Sequence, residues 1–160
     1  MKKYIGVFIL FILATTGLFA QAEVAKVLGQ WSDATLIGST AHNNTYNEIW
    51  GYAINDHEYA IIGSTAGTHF IDVTDPTNPF EAFFVRGRSA GNHIIHRDYD
   101  DYEGYLYVVA DEGGASFEII DMNHLPDTIS VTYSNTIFQA HNIFVDKENA
   151  RLYACLLYTS

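Results

Sequence analysis

The sequence predicts an all-β protein made of a repeated sheet unit, and three observations support this prediction. Aromatic residues make up 14% of the 160 residues and charged residues only 17%, a bias that favours strands. No long helical periodicity follows the N-terminal segment,. A hairpin pattern at residues 58–79, EYAIIGSTAGTHFIDVTDPTNP, returns at residues 106–126 as LYVVADEGGASFEIIDMNHLP. The repetition indicates a modular architecture.

The two copies of the hairpin correspond residue by residue. Each copy has an apolar strand, a glycine-containing turn and a second strand that stops near a proline, and these turn residues interrupt sheet ladders. Tyr59 maps to Tyr107, 48 residues later, and Asp72 maps to Asp121, 49 residues later. A third copy begins near Tyr153, 46 residues after Tyr107. Sheet repeats of this length are typical of propeller blades.

Four strands are predicted in each complete unit. The first unit has predicted strands at residues 46–53, 59–62, 68–73 and 80–85. The second has them at residues 93–99, 105–110, 117–122 and 128–134. The start of a third unit has predicted strands at residues 140–146 and 151–155. An opening strand at residues 24–31 and a polar connection at 32–45 precede them. The predicted fold is therefore a partial β-propeller over residues 23–154. It holds about two and a half four-stranded blades of a longer ring, because four to eight blades are needed for closure.

The two ends of the chain are predicted to lie outside this domain. Residues 1–22 have a basic start at Lys2 and Lys3, an apolar run at 5–14 and small residues at 18–22, which is the pattern of a secretory signal peptide. The final residues, 155–160, lack the Gly/Asp turn that follows the equivalent strand in the earlier copies. We expect them to be a non-native tail. The single Cys155 allows no internal disulfide,.

The charge of the chain limits the classes of partner. There are 8 basic and 19 acidic residues, which give a formal net charge of −11. Nucleic acids and anionic membranes repel such a surface. The expected partner is an extracellular protein or glycan, and no membrane insertion is expected once the signal peptide is removed. The predicted location is secreted or at the cell surface.

Several segments together resemble one protein family. GQWSD, YNEIWGY, the hairpin at 58–79, LYVVADEGG with IIDMNHLPD, and AHNIFVD are similar to the choice-of-anchor B proteins, which are secreted bacterial proteins built from LVIVD-type β-propeller repeats. The resemblance covers nearly all of residues 28–153. It implies a propeller fold and an extracellular location, and it implies no particular activity, because the family has no settled biochemical one.

Polar residues recur at one place in the repeat. Glu48, His96 and Asn142 each lie 11 residues before the repeated tyrosine of their unit, so we expect them on the innermost strands, where they would line the central channel. Asp98 and His141 lie close to them in sequence. These five residues form the candidate binding set.

Two functions are consistent with this set. The leading hypothesis is a non-catalytic binding or scaffold module without a cofactor, and the sequence assigns it no catalytic residue and no metal ligand. The alternative is a propeller hydrolase or lyase that uses His96, Asp98 and His141, with or without a divalent cation, since imidazole and carboxylate serve as metal ligands and as acid or base. Against a metal site, no HExxH, Cys-pair or EF-hand spacing occurs,. On a strand, His93 and His96 would also face opposite sides.

Overall fold

The computed structural model describes residues 25–114 and 117–155, so the predicted signal peptide at 1–22 lies outside the described residues. Within them the chain is all-β, which confirms the predicted class. No helix in these ranges is long and apolar enough to cross a membrane. The described strands are β1 (Tyr46–Ile54), β2 (His57–Ser64), β3 (Gly67–Asp72), β4 (Phe80–Arg86), β5 (Arg97–Tyr102), β6 (Tyr105–Ala110), β7 (Phe117–Asp121), β8 (Ser130–Ser134), β9 (Asn142–Asp146) and β10 (Arg151–Cys155).

The strands of the described residues form three antiparallel sheets in chain order. The first sheet is β1-β2-β3-β4, the second is β5-β6-β7-β8, and the third is the hairpin β9-β10. Asn55 and Asp56 join β1 to β2, and Glu103 and Gly104 join β5 to β6, all with positive φ. Positive φ at both central residues matches the right-handed twist of the strands and closes a two-residue hairpin. The predicted repetition of antiparallel four-stranded units is therefore present in the structure.

Some predicted strand boundaries differ from the structure. Residues 25–31 form no strand. Gly29 instead packs so closely on Pro76 and Pro79 that a Cβ at this position would collide with them. β10 includes Cys155, the first residue of the predicted tail, while residues 156–160 lie outside the described part. β5 begins at Arg97 rather than four residues earlier, because the amides of Ile95 and His96 bond to the side chain of Glu112.

The sheets pack face to face. Alternate residues of a strand point to opposite faces, so one face of a sheet can contact the sheet before it and the other face the sheet after it. Tyr59 and Ile61 of β2 belong to an apolar cluster with Leu106 of β6. On the opposite face of β6, Tyr107 packs against a second cluster that contains Ile143 of β9. Tyr59 and Tyr107 therefore occupy corresponding positions, the third residue of the second strand, and each is turned towards the following sheet.

Among the first strands of the three sheets, β5 is the neighbour of both β1 and β9. Asp98 and Asp100 of β5 accept hydrogen bonds from the backbone amides of Ile143 (2.6 Å) and Val145 (2.7 Å) in β9. Between β1 and the segment before β5, the side-chain amide of Asn47 donates to a backbone carbonyl. Acidic side chains on the first strand of one sheet thus accept hydrogen bonds from backbone amides of the next sheet.

Candidate functional site

One end of the sheets gathers the connections that precede each first strand. Because neighbouring strands are antiparallel, the segments before β1, β5 and β9 and those after β2 and β6 all lie at the same end. We call this the loop end. Among the described residues it comprises 32–45, 65–66, 87–96, 111–114 and 135–141. Binding residues are often found on loops that a rigid scaffold positions.

Hydrogen bonds join separate connections of the loop end. The amide of Thr40 donates to the carbonyl of Asn92 (2.8 Å), and the amide of Gly91 donates to the carbonyl of Thr65 (2.8 Å). The Thr65 hydroxyl donates to the carbonyl of Ile37 (2.8 Å). Three connections that are distant in sequence therefore form one continuous surface.

A buried arginine lies beneath this surface and donates hydrogen bonds to backbone carbonyls near it. The guanidinium of Arg97 donates to the carbonyls of Ser64 (2.9 Å) and Ser89 (2.7 Å). The carboxylate of Glu118 lies 3.9 Å from the same guanidinium, and neither side chain is exposed. Glu118 also accepts a hydrogen bond from the amide of Arg88 (2.6 Å). Burial raises the pKa of Glu118, and the Arg88 amide and the Arg97 charge offset only part of that rise.

Two histidines and a carboxylate meet where the second and third sheets adjoin. His96 immediately precedes β5, Asp111 follows β6, and His141 immediately precedes β9. One potential ligand atom from each of the three lies within 4.8 Å of the others. His141 Nδ1 is 2.9 Å from an oxygen of Asp111. The two imidazole rings have centroids 4.6 Å apart and planes inclined at 60°. We call these three residues the His–Asp cluster.

Glu112 orients this cluster and also explains where β5 begins. One carboxylate oxygen of Glu112 accepts the amides of Ile95 (2.9 Å) and His96 (3.1 Å). These amides bond to a side chain rather than to a neighbouring strand, so the ladder starts only at Arg97. The other oxygen is 3.4 Å from His96 Nδ1. The His96 side chain is 46% exposed and that of His141 is 28% exposed, so both imidazoles are accessible from solvent.

The structure groups two of the five predicted site residues, His96 and His141, in the His–Asp cluster. The carboxylate of Asp98 is instead bonded to the amide of a residue in β9. Glu48 lies at a bulge of β1, and its carboxylate accepts the amide of the next residue. Asn142 is exposed at the start of β9.

The predicted equivalence of Glu48, His96 and Asn142 fails for the third residue because of loop length. The first two hairpins have two-residue turns, whereas four residues join β9 to β10. Counting back 11 residues from Tyr153 therefore ends at Asn142, which lies two residues further along its strand than the position that the same count reaches in the second sheet. The pairing register aligns Asn142 with Asp98, not with His96. A shift of two residues keeps the same face of the strand, but it moves the side chain along the sheet.

Asp111 and Glu112 are not among the five predicted site residues; they lie in the glycine-containing turn of the second copy of the repeated hairpin. Gly113 and Gly114 of this turn adopt positive φ. The signal for the additional role was the pair of adjacent carboxylates directly after an apolar strand. Their contact with the two histidines depends on how the second sheet packs against the third. The spacing of residues within one hairpin does not predict that packing.

A second chain of polar contacts has the order of a catalytic triad but is structural. Ser64 Oγ is 2.8 Å from His69 Nε2, and His69 Nδ1 is 2.7 Å from a carboxylate oxygen of Glu81. Ser64 is fully buried, and its hydroxyl oxygen accepts the amides of Ala66 and Gly67. A nucleophile must reach a substrate, whereas this hydroxyl stabilises the turn between β2 and β3.

Comparison with known proteins identifies no family, so the class of this protein is defined by its fold and by its candidate site. A scan of family models, a search of curated proteins and a search of solved structures each found no match. The chain is an all-β protein of repeated antiparallel four-stranded sheets. Its loop end carries a partly exposed His–Asp cluster between the second and third sheets.

Proposed function

We propose that the chain is a secreted or cell-surface β-propeller repeat protein of the LVIVD type, similar to the choice-of-anchor B family, and that it acts as a non-catalytic binding or scaffold module for a protein or a glycan. The three sheets would be successive blades. The loop end would be the binding surface.

The propeller proposal rests on how the sheets adjoin. In a propeller, blades are arranged around an axis and their first strands come together at the centre. This arrangement requires that consecutive first strands adjoin, as β1 and β5 and then β5 and β9 do. It also requires that each sheet stacks on the next through alternate faces. The described residues would supply two four-stranded blades and the first two strands of another.

The binding proposal rests on one observation, the hydrogen bonds between connections of the loop end. Thr40 is bonded to Asn92, and Gly91 to Thr65. Loops ordered before binding lose less conformational entropy when a ligand arrives, which favours affinity. The buried Arg97 adds rigidity, since it binds the carbonyl of Ser64, which directly precedes one of these connections, and the carbonyl of Ser89, which lies within another.

Net charge narrows the ligand to a neutral or basic one. With a formal charge of −11, the protein repels polyanions and attracts cations at a distance. A neutral polysaccharide or a basic secreted protein is therefore a better partner than an acidic glycan, and its association should weaken with added salt only when it is basic.

Selective blocking of the loop end tests the proposal. In a Cys155→Ser background, a polyethylene-glycol maleimide is attached to Asn92→Cys, which is exposed at the loop end, or to Asp127→Cys, which is exposed beyond β7. The proteins are applied to a printed array of neutral polysaccharides and basic secreted proteins. We expect binding of the unmodified protein, loss of that binding when Asn92→Cys is modified, and full binding when Asp127→Cys is modified.

The two attachment sites serve as matched controls, because each adds the same polymer to an exposed side chain. Far-ultraviolet circular dichroism of both conjugates verifies that the sheets persist. Equal binding by the two conjugates would place the ligand away from the loop end. A folded protein that retains nothing on the array would argue against a binding module altogether.

A hydrolase or lyase is the second candidate function, and the His–Asp cluster is the observation that favours it. Since Asp98 is bonded to β9, Asp111 is the carboxylate that contacts His141. If the protein is an enzyme, changing His96 and His141 together to Ala should abolish turnover of a chromogenic glycoside or ester panel while the fold persists. A binding module should retain its ligand after the same change.

A further inference from the structure

We infer that His96, Asp111 and His141 form a binding site for one divalent transition-metal ion of the Zn²⁺ type, at the boundary between the second and third sheets. The inference does not rest on the proposed ligand-binding function. It rests on the positions of donor atoms, on the residues that orient them, and on the chemistry of the donor set.

The three donors are close and are attached to rigid backbone. One donor atom of each residue lies within 4.8 Å of the others. Donors that share a tetrahedral Zn²⁺ ion lie about 3.3–3.6 Å apart, given bonds of about 2.0–2.2 Å. Side-chain rotation would have to close this difference of about 1–2 Å, while the backbone of His96, Asp111 and His141 is fixed by the adjacent ends of β5, β6 and β9. The chain therefore has little ordering entropy to lose on binding the ion.

Neighbouring groups already orient the donors. Metal-binding histidines usually direct their other ring nitrogen to a carboxylate or a carbonyl, which sets the orientation of the ring. His96 Nδ1 faces a Glu112 oxygen at 3.4 Å, which leaves Nε2 for the ion. Glu112 is itself held by two backbone amides. The side chain of Gln139 donates to the backbone carbonyl of Asp111 (2.8 Å) and so holds that residue in place.

The donor set selects the class of metal. Two imidazoles and one carboxylate suit Zn²⁺ and related d-block ions, whereas Ca²⁺ and Mg²⁺ prefer sets of oxygen ligands. Three protein ligands leave a fourth position for water or another small ligand. The partial exposure of His96 and His141 means that solvent can reach that position.

An ion at this site would also connect two sheets. Asp111 follows β6 of the second sheet, while His141 precedes β9 of the third and donates its amide to Cys155 of β10 (2.9 Å). Because the ion binds the folded arrangement and not the unfolded chain, it should stabilise the fold by an amount that grows with the logarithm of its concentration once that concentration exceeds Kd. Metal binding should therefore raise the Tm.

Calorimetric titration with ZnCl₂ tests the inference. The probe is Zn²⁺ alone, added to the EDTA-treated and dialysed chain carrying Cys155→Ser, which removes the exposed thiol as a competing ligand. We expect one ion per chain. Asp111→Asn, His96→Ala and His141→Ala should each weaken binding by about tenfold or more, and Glu112→Gln by about 10–100-fold. His124→Ala is the matched control, since it removes an exposed histidine outside the cluster.

Further measurements separate loss of the site from loss of the fold. Asp111→Asn keeps the shape of the side chain, so it guards against a histidine variant that fails to fold, and circular dichroism checks every variant. X-ray absorption of the zinc-loaded chain should show nitrogen and oxygen neighbours at about 2.0–2.1 Å. The Tm should rise with Zn²⁺, and at the same Zn²⁺ concentration it should rise less in the Asp111→Asn variant. Calcium at the same concentration should produce no binding heat.

Three results would overturn the inference. One is the absence of one-to-one zinc binding by the folded chain. Another is binding that is equally tight in Asp111→Asn and His96→Ala, which would locate the ion elsewhere. The third is saturable Ca²⁺ binding that these substitutions abolish, because the site would then belong to the class of oxygen-ligand cations.

Discussion

Changing Arg97 to Met is expected to destabilise the fold by about 3–5 kcal/mol, the range observed when one partner of a buried ion pair is removed. The Arg97 guanidinium donates to the carbonyls of Ser64 and Ser89 and is the closest counter-charge of Glu118. Without it, two buried carbonyls lose a donor and one buried carboxylate loses its compensation. Because methionine fills a similar volume, the decrease in the free energy of unfolding should come from the lost charge and hydrogen bonds more than from an empty cavity.

The destabilisation should grow as pH rises. Burial raises the pKa of Glu118 in the folded protein, while Arg97 acts to lower it. A carboxyl group whose pKa is higher in the folded than in the unfolded protein stabilises the fold at pH values below its pKa in the unfolded protein. This stabilisation is lost as the pH rises through its pKa in the folded protein. Removing Arg97 raises the folded pKa of Glu118 further. The variant should therefore be closest to the wild type near pH 4.5 and furthest from it near pH 8.

Urea unfolding followed by circular dichroism at both pH values provides the measurement. Arg86→Met is the matched control, because Arg86 is exposed on β4, and a change of less than about 0.5 kcal/mol is expected there. The double variant Arg97→Met/Glu118→Gln should recover part of the loss, since it no longer buries an uncompensated charge. A loss in Arg97→Met as small as in Arg86→Met, or one independent of pH, would contradict this account.

The parts of the fold that follow local rules were predictable from the sequence. The hairpin pattern at residues 58–79 and its copy at 106–126 predicted the paired strands β2-β3 and β6-β7, because strand and turn preferences act within a few residues. Strand ends were less predictable where side chains replace ladder hydrogen bonds, as Glu112 does before β5. Local pattern does not show that an amide will bond to a side chain 16 or 17 residues away.

The candidate site was predictable only in part, for a related reason. His96 and His141 were predicted as polar residues within two of the innermost strands; the structure places each immediately before its strand and brings the two together. Their partner Asp111 and the buried pair of Arg97 and Glu118 depend on contacts between different strands and sheets. Such contacts follow from register and from loop length, and the longer loop between β9 and β10 displaced the expected equivalence of Asn142.

Changing Phe70 to Ala is expected to cost about 3–5 kcal/mol, the usual range for truncating a buried phenylalanine. Phe70 lies on β3, is fully buried, and belongs to the apolar cluster that joins the first sheet to Leu106 and Ile120 of the second. Its removal leaves a cavity that surrounding strands, fixed by their ladders, cannot fill by collapse. Because domains are stable by only about 5–15 kcal/mol, this single change should bring the protein close to unfolding.

Urea unfolding of Phe70→Ala beside Phe80→Ala separates burial from the loss of an aromatic ring. Phe80 lies on the adjacent strand β4 and is 54% exposed, so its truncation should cost less than about 1 kcal/mol. Phe70→Leu should fall between the two, since it keeps most of the apolar volume. Hydrogen exchange in Phe70→Ala should accelerate in both β3 and β6, because the cluster spans the two sheets. Acceleration confined to the first sheet would show that the sheets are stabilised separately and that Phe70 does not couple them.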